Sequence, residues 1–289
     1  MKLTALSQTL LASILGLSLS ACNGDNSPVI KASDKQVTTS TQGTGSQKQI
    51  STASDLPHYL TRDVQDDVFY FVLPDRFHNG DSSNDNGSST IKLSQGGFDK
   101  TKSTAYHGGD LAGLKEKIPY LNEMGISAIW LTPIMRNQAV QGDVTGYHGY
   151  WVLDFTEIDP HLGTNAELKS LIDTAHDNNI KVFFDIITNH SADVIRYKEC
   201  HGDGNVALSD GEQQCAYKSL AQVATGDKYT PFLPQGMEDI KSPAWLNDPK
   251  YYHNQGDSTF SGENSLNGDF FGLDDINTDD PAVVAGFTE

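Results

Sequence analysis

Residues 180–187, Ile-Lys-Val-Phe-Phe-Asp-Ile-Ile, form a run of β-branched and aromatic residues too short for a helix, and they read as a strand. Similar runs stand upstream at 68–73 and 126–131. Between the first two, Leu111, Leu114, Ile118 and Leu121 recur at helical spacing, Pro119 predicts a kink or a broken start, and Gly125 an end. Between the second and third, Thr164 and Glu167 spell a capping box ahead of Leu168, Leu171, Ile172 and Ala175 on one helical face. Strands alternating with amphipathic covering helices constrain the chain to an α/β fold with a parallel sheet. In a parallel barrel the chemistry gathers at the C-terminal ends of the strands. The third run places Asp185, Asn189 and His190 there.

The 289 residues suffice for one barrel or two medium domains, and 37 % hydrophobic residues suit a folded protein. Twenty Lys and Arg against thirty-eight Asp and Glu give a net charge of −18, which repels phosphate backbones and anionic headgroups. Nucleic acid is excluded as a partner on that ground, whereas a neutral sugar polymer is compatible with it.

Lys2, the apolar and small residues 6–20, and Leu19-Ser-Ala-Cys22 match a bacterial lipoprotein signal at residues 1–21. Two readings stand: a lipidated Cys22 that holds the protein to a membrane without a spanning helix, or an ordinary secretory signal. Both predict export, either as a membrane-anchored lipoprotein or as a secreted protein. Residues 22–62, rich in Ser, Thr, Gln and Gly without apolar period, read as a flexible tether. In an oxidising setting Cys200 and Cys215 are expected to form a disulfide, whose loop of about 15 residues contributes roughly 3 kcal/mol; two free thiols are the alternative. Their spacing matches no zinc pattern.

Two further segments carry chemistry. Residues 79–85, Asn-Gly-Asp-Ser-Ser-Asn-Asp, follow Asp75-Arg-Phe77 and are dense in the hard oxygen donors that calcium takes, although a solvated turn would look the same. Gly146-Tyr-His-Gly-Tyr-Trp151 offers ring faces to sugar C–H groups; as an aromatic core cluster it would carry no chemistry.

Together, in this order, these segments resemble the alpha-amylase family of glycoside hydrolases. The resemblance implies the first three βα units of a (β/α)8 TIM barrel over 63–190, an inserted irregular domain over 191–277 after strand three, and a return to the barrel at 278–289. Tyr150 matches the family's sugar-stacking tyrosine, His190 its sugar-bonding histidine, and Asp185 the carboxylate that supports the site. Asn189 matches a Ca2+ ligand, completed by Asp275 of the Gly272-Leu-Asp-Asp-Ile-Asn277 segment, with Asp274, Asp279 and Asp280 leaving a one-position shift open. The 79–85 loop resembles a second calcium site of cyclodextrin glucanotransferases, implying Asn79, Asp81, Asn84, Asp85, Gly108 and Asp110 as ligands. Asn79 stands where that pattern has Asp, and Asp85 where it has Asn.

The family cleaves α-1,4-glucans such as starch and maltodextrin by retaining double displacement between two carboxylates about 5 Å apart. Its Gly-x-Arg-x-Asp nucleophile segment has no match here, so no catalytic residue is assigned. The expectation is a truncated front half that is inactive alone and poorly stable, because three strands leave unpaired edges. Two alternatives accompany an α-amylase-type parent: a noncatalytic sugar-binding lipoprotein and an α-glucan transglycosylase.

Overall fold

A computed structural model describes residues 57–202 and 214–288, so Cys22, the 1–21 signal and nearly all of the 22–62 tether lie outside the described residues. Strand β1 (Phe69–Val72) leads through a long loop to helices α1 (Leu111–Glu116) and α2 (Ile118–Glu123) and then to β2 (Ala128–Leu131). Antiparallel strands β3 (Met135–Asn137) and β4 (Val152–Ile158) rise from the next loop, followed by α3 (Asn165–Asp177) and β5 (Lys181–Phe184). β1, β2 and β5 form a parallel sheet in that order, with Phe69, Ala128 and Lys181 in register. Each strand is shorter than its apolar run. The ladder continues one step further through Thr132 N–H to Val72 O and Asp185 N–H to Leu131 O, so Asp185 sits just past β5 rather than inside it.

The two faces of the sheet differ, as the period of two demands. Val72, Ile129 and Leu131 are buried in one core with Leu111, Leu114, Ile118, Leu121 and Leu171 from the helices. On the other face Phe69, Phe71 and Trp130 are exposed, and Phe71 meets Trp130 edge-on at 5.3 Å. The expected kink at Pro119 is a full break: α1 ends, Lys117 joins the two helices, and the proline lies in the first turn of α2, where its missing N–H costs nothing. The capping box forms its first half only, since Thr164 Oγ1 accepts from Glu167 N–H while the Glu167 carboxylate takes the Thr164 hydroxyl.

After β5 the chain is irregular, tied down by short pairings. β6 (His190–Ser191) runs antiparallel to β7 (Asp274–Asp275). Ile195, Tyr197, Leu246, Tyr252 and Ile276 form a second apolar cluster. Helix α4 (Pro281–Thr288) packs on that cluster through Val283, with Phe287 edge-on to Trp245 at 5.2 Å, so this segment joins the second cluster and not the sheet's core. Cys200 and Cys215 are joined as a disulfide with Cα atoms 5.8 Å apart. Among the described residues no helix is long and apolar enough to cross a membrane.

Candidate active site and calcium positions

The loop after β2 turns back sharply at Gly149, whose φ is +85° and where a Cβ would stand 1.9 Å from Pro133 O. Only glycine fits that approach. The turn brings Tyr150 to the end of β5, where its hydroxyl donates to Asp185 Oδ2 at 2.8 Å. Burial, then the Asp185 bond, push the Tyr150 phenol up to about 12, so it stays a protonated donor and Asp185 is held in place. His190 is buried; its Nε2 lies 3.2 Å from Tyr150 O and its Nδ1 3.3 Å from Asn189 Nδ2. Those partners assign the Nε2–H tautomer, with Nδ1 accepting. Its ring stacks on Phe270 at 5.5 Å, and burial holds its pKa below the ordinary value.

His148, not singled out in the sequence, forms the floor of this group. Its Nδ1 accepts from Tyr150 N–H at 3.0 Å, and its ring is edge-on to Tyr147 and Trp151. Burial, then the Arg76 charge, lower it to about 4, so it is neutral at neutral pH. Tyr147 lies under the Arg76 guanidinium, 3.9 Å from the ring centre, and Trp151 packs on the apolar cluster around Leu153. The arrangement sets one aromatic ring, one held carboxylate and one neutral imidazole side by side as a wall at the end of β5. A cavity of about 460 Å³ lies elsewhere, behind Phe271 and Gly272, and is not lined by Tyr150, Asp185 or His190.

Two groups of oxygen donors flank this wall. At the seam, the β6–β7 pairing sets Asp275 opposite His190, and Ile276 N–H donates to Asn189 O at 2.9 Å. Asn189 Nδ2 lies 3.4 Å from Asp275 Oδ1, and His253 Nδ1 lies 2.5 Å from Asp275 Oδ2. Burial raises the Asp275 pKa despite His253. Of the two strand residues it is Asp275 that faces Asn189: Asp274 points the other way, accepting from Val194 and Ile195 N–H and from Lys241, while Asp280 caps α4 through Ala282 N–H. His253 was not legible as a partner, because it stands in irregular sequence with no periodic signal around it.

The second group is the loop after β1. Asp75 is buried and accepts from His107 and Gly108 N–H, which ties the Gly108-Gly-Asp110 turn to the end of β1. At Gly108 φ is +82° and a Cβ would meet Asp85 Oδ1 at 2.4 Å, so the glycine is required for the side chains to converge. Asp110 accepts from Gly80, Asp81 and Gly113 N–H at 3.1, 2.8 and 2.6 Å, and Asn84 Nδ2 lies 3.4 Å away. Asn79 Nδ2 lies 2.5 Å from Asp85 Oδ1. Asn84 Oδ1 is buried without a partner. An orphaned acceptor among carboxylates is what a hard cation would satisfy, so the residues present fit calcium.

Residues 71–289 match the family model for the alpha amylase catalytic domain. An alpha-amylase of Streptomyces lividans is 45 % identical over 207 residues, 66 % of this chain and 22 % of that protein. The chain thus spans about a fifth of the length of that relative. Among solved structures, the cyclomaltodextrin glucanotransferase CldA is 30 % identical with a TM-score of 0.53, covering 76 % of this chain and 40 % of that one. An Anoxybacillus alpha-amylase is also 30 % identical, with a TM-score of 0.50 and coverage of 78 % and 37 %.

Proposed function

This chain belongs to the alpha-amylase family, with the first βα units of that family's barrel, and from that premise we propose that a full-length protein carrying these residues hydrolyses α-1,4-glucans such as starch and maltodextrin with retention, bound to calcium and exported. The observation that carries the reading is the wall at the end of β5, where Tyr150, Asp185 and His190 meet in hydrogen-bond contact. Tyr150 stacks on the sugar at the cleaved bond, Asp185 holds Tyr150 and the sugar's hydroxyls, and neutral His190 hydrogen-bonds the same unit. Calcium at Asn189 and Asp275 would fix the inserted segment against the barrel, and calcium in the 79–110 loop would brace the end of β1; its chemistry is structural, six to eight oxygen contacts without redox change. No residue here is assigned as nucleophile or general acid, so the 289-residue chain by itself is expected to release no reducing sugar from starch. Lipidation at Cys22 is proposed as the means of anchoring, read out by a mass shift of the mature N-terminus.

The decisive experiment follows maltooligosaccharide cleavage, by a full-length protein that carries these residues, with proton NMR. Freshly released ends should appear first as the α-anomer; initial β-anomer, or binding without turnover, overturns the proposal. Likeness to CldA keeps glucosyl transfer as the second reading. Cyclic or lengthened products in the same spectra would select it.

A further inference from the structure

Lys241 is fully buried, and a lone ammonium in that position would be costly. Its Nζ pairs with Asp274, which is itself 3 % exposed, reaches Tyr252 Oη at 3.2 Å and lies 4.5 Å from the centre of the Tyr252 ring. Its backbone is clamped by Asn247, which accepts from Lys241 N–H at 2.9 Å and donates to Lys241 O at 2.7 Å. The ammonium is therefore a fixed point. Asp274 and Asp275 are consecutive residues of a two-residue strand, so their side chains face opposite ways, and a slip of one position would exchange them. Either carboxylate is chemically competent to face Asn189. Setting register is the best-attested use of a buried ionic pair.

We propose that Lys241 is a positioning residue which, by capturing Asp274, presents Asp275 to Asn189 and so builds the seam's cation site. The inference rests on the calcium reading of the seam given above. Burial pulls the Lys241 ammonium's pKa down, but Asp274, followed by Tyr252, outweighs it and the group stays charged.

The test is a calorimetric titration of the intact protein with calcium, comparing the parent with Lys241→Met, Asp275→Asn and the double variant Lys241→Met/Asp274→Asn. Lys241→Met is expected to weaken one calcium event at least tenfold, the same event that Asp275→Asn removes, and to leave any event assigned to the 79–110 loop unchanged. A purely structural lysine would lower the melting temperature without moving that dissociation constant, which overturns the proposal. The double variant leaves no unpaired buried charge and carries the test if the single one does not fold. It should bind as weakly as Lys241→Met, and recovery of parental affinity overturns the proposal. If Asp275→Asn changes nothing, the seam's calcium reading falls and the inference falls with it; if Asp275→Asn abolishes the event while Lys241→Met does not, only the inference falls.

Discussion

The loop after β1 and the seam beside β5 gather similar oxygen donors by opposite means. In the loop every donor lies between Asn79 and Asp110, and the Asp110 carboxylate is held by backbone N–H groups of Gly80, Asp81 and Gly113. That geometry is built by local chain. At the seam Asn189 and Asp275 are 86 residues apart, joined through a two-residue pairing, and His253 occupies one oxygen of Asp275. A cation in the loop would satisfy an orphaned Asn84 oxygen and stiffen a turn that already exists. At the seam it would tie the inserted segment to the strand end, so local opening of that segment and metal release become one equilibrium.

The largest effect should come from the loop. Asp110→Ala strips a buried acceptor from three N–H groups and removes the N-cap of α1, which should cost about 3–5 kcal/mol in urea unfolding, measured with or without calcium. A loss under about 1 kcal/mol would mean that the loop is not preformed, and the contrast would collapse. Asp275→Asn should behave differently. In chelator its unfolding free energy should stay within about 1 kcal/mol of the parent, but the gain from calcium at a hundredfold excess over the dissociation constant, about 2.7 kcal/mol per site, should vanish for that site. An equal gain in parent and variant would show that the seam holds no calcium.

How each region could be read in the sequence follows the same division. In the loop, residues 79–85 were legible as a run of oxygen donors, whereas Gly108 and Asp110 came only through the family resemblance, with the steric demand at Gly108 leaving a glycine as its trace. The three strands and the helix faces were legible from periodicity, and so was the placement of Asp185, Asn189 and His190 at a strand end. Tyr150 was reached through the aromatic motif, yet its hydroxyl bond to Asp185 spans 35 residues and no pattern announces it. His148 was hidden inside that motif, since nothing in residue order tells which ring becomes the floor and loses its charge. Lys241 and His253 were out of reach, because they lie in irregular segments where position is set by tertiary contact alone. The packing of α4 on the second cluster was missed for a similar reason: an apolar helix start states that a face is buried, not against what.

The smallest effect should be a pH dependence that separates the two positions. Burial raises the Asp275 pKa above its unfolded value, so from about pH 4 upward the calcium-free native state binds more protons than the unfolded chain. Stability therefore falls as pH rises through that window, the carboxylate being forced to ionise while buried. Calcium requires the ionised form, so its binding tightens over the same window. In the loop, the Ser83 hydroxyl and amide shift Asp81 the opposite way, below the ordinary carboxylate value. The difference in melting temperature between calcium-loaded and chelated protein should widen as pH rises from about 4 towards neutrality, by a few degrees, and Asp275→Asn should flatten the rise. A gap that is independent of pH in the parent would mean that burial does not raise the seam carboxylate's pKa as this contrast requires.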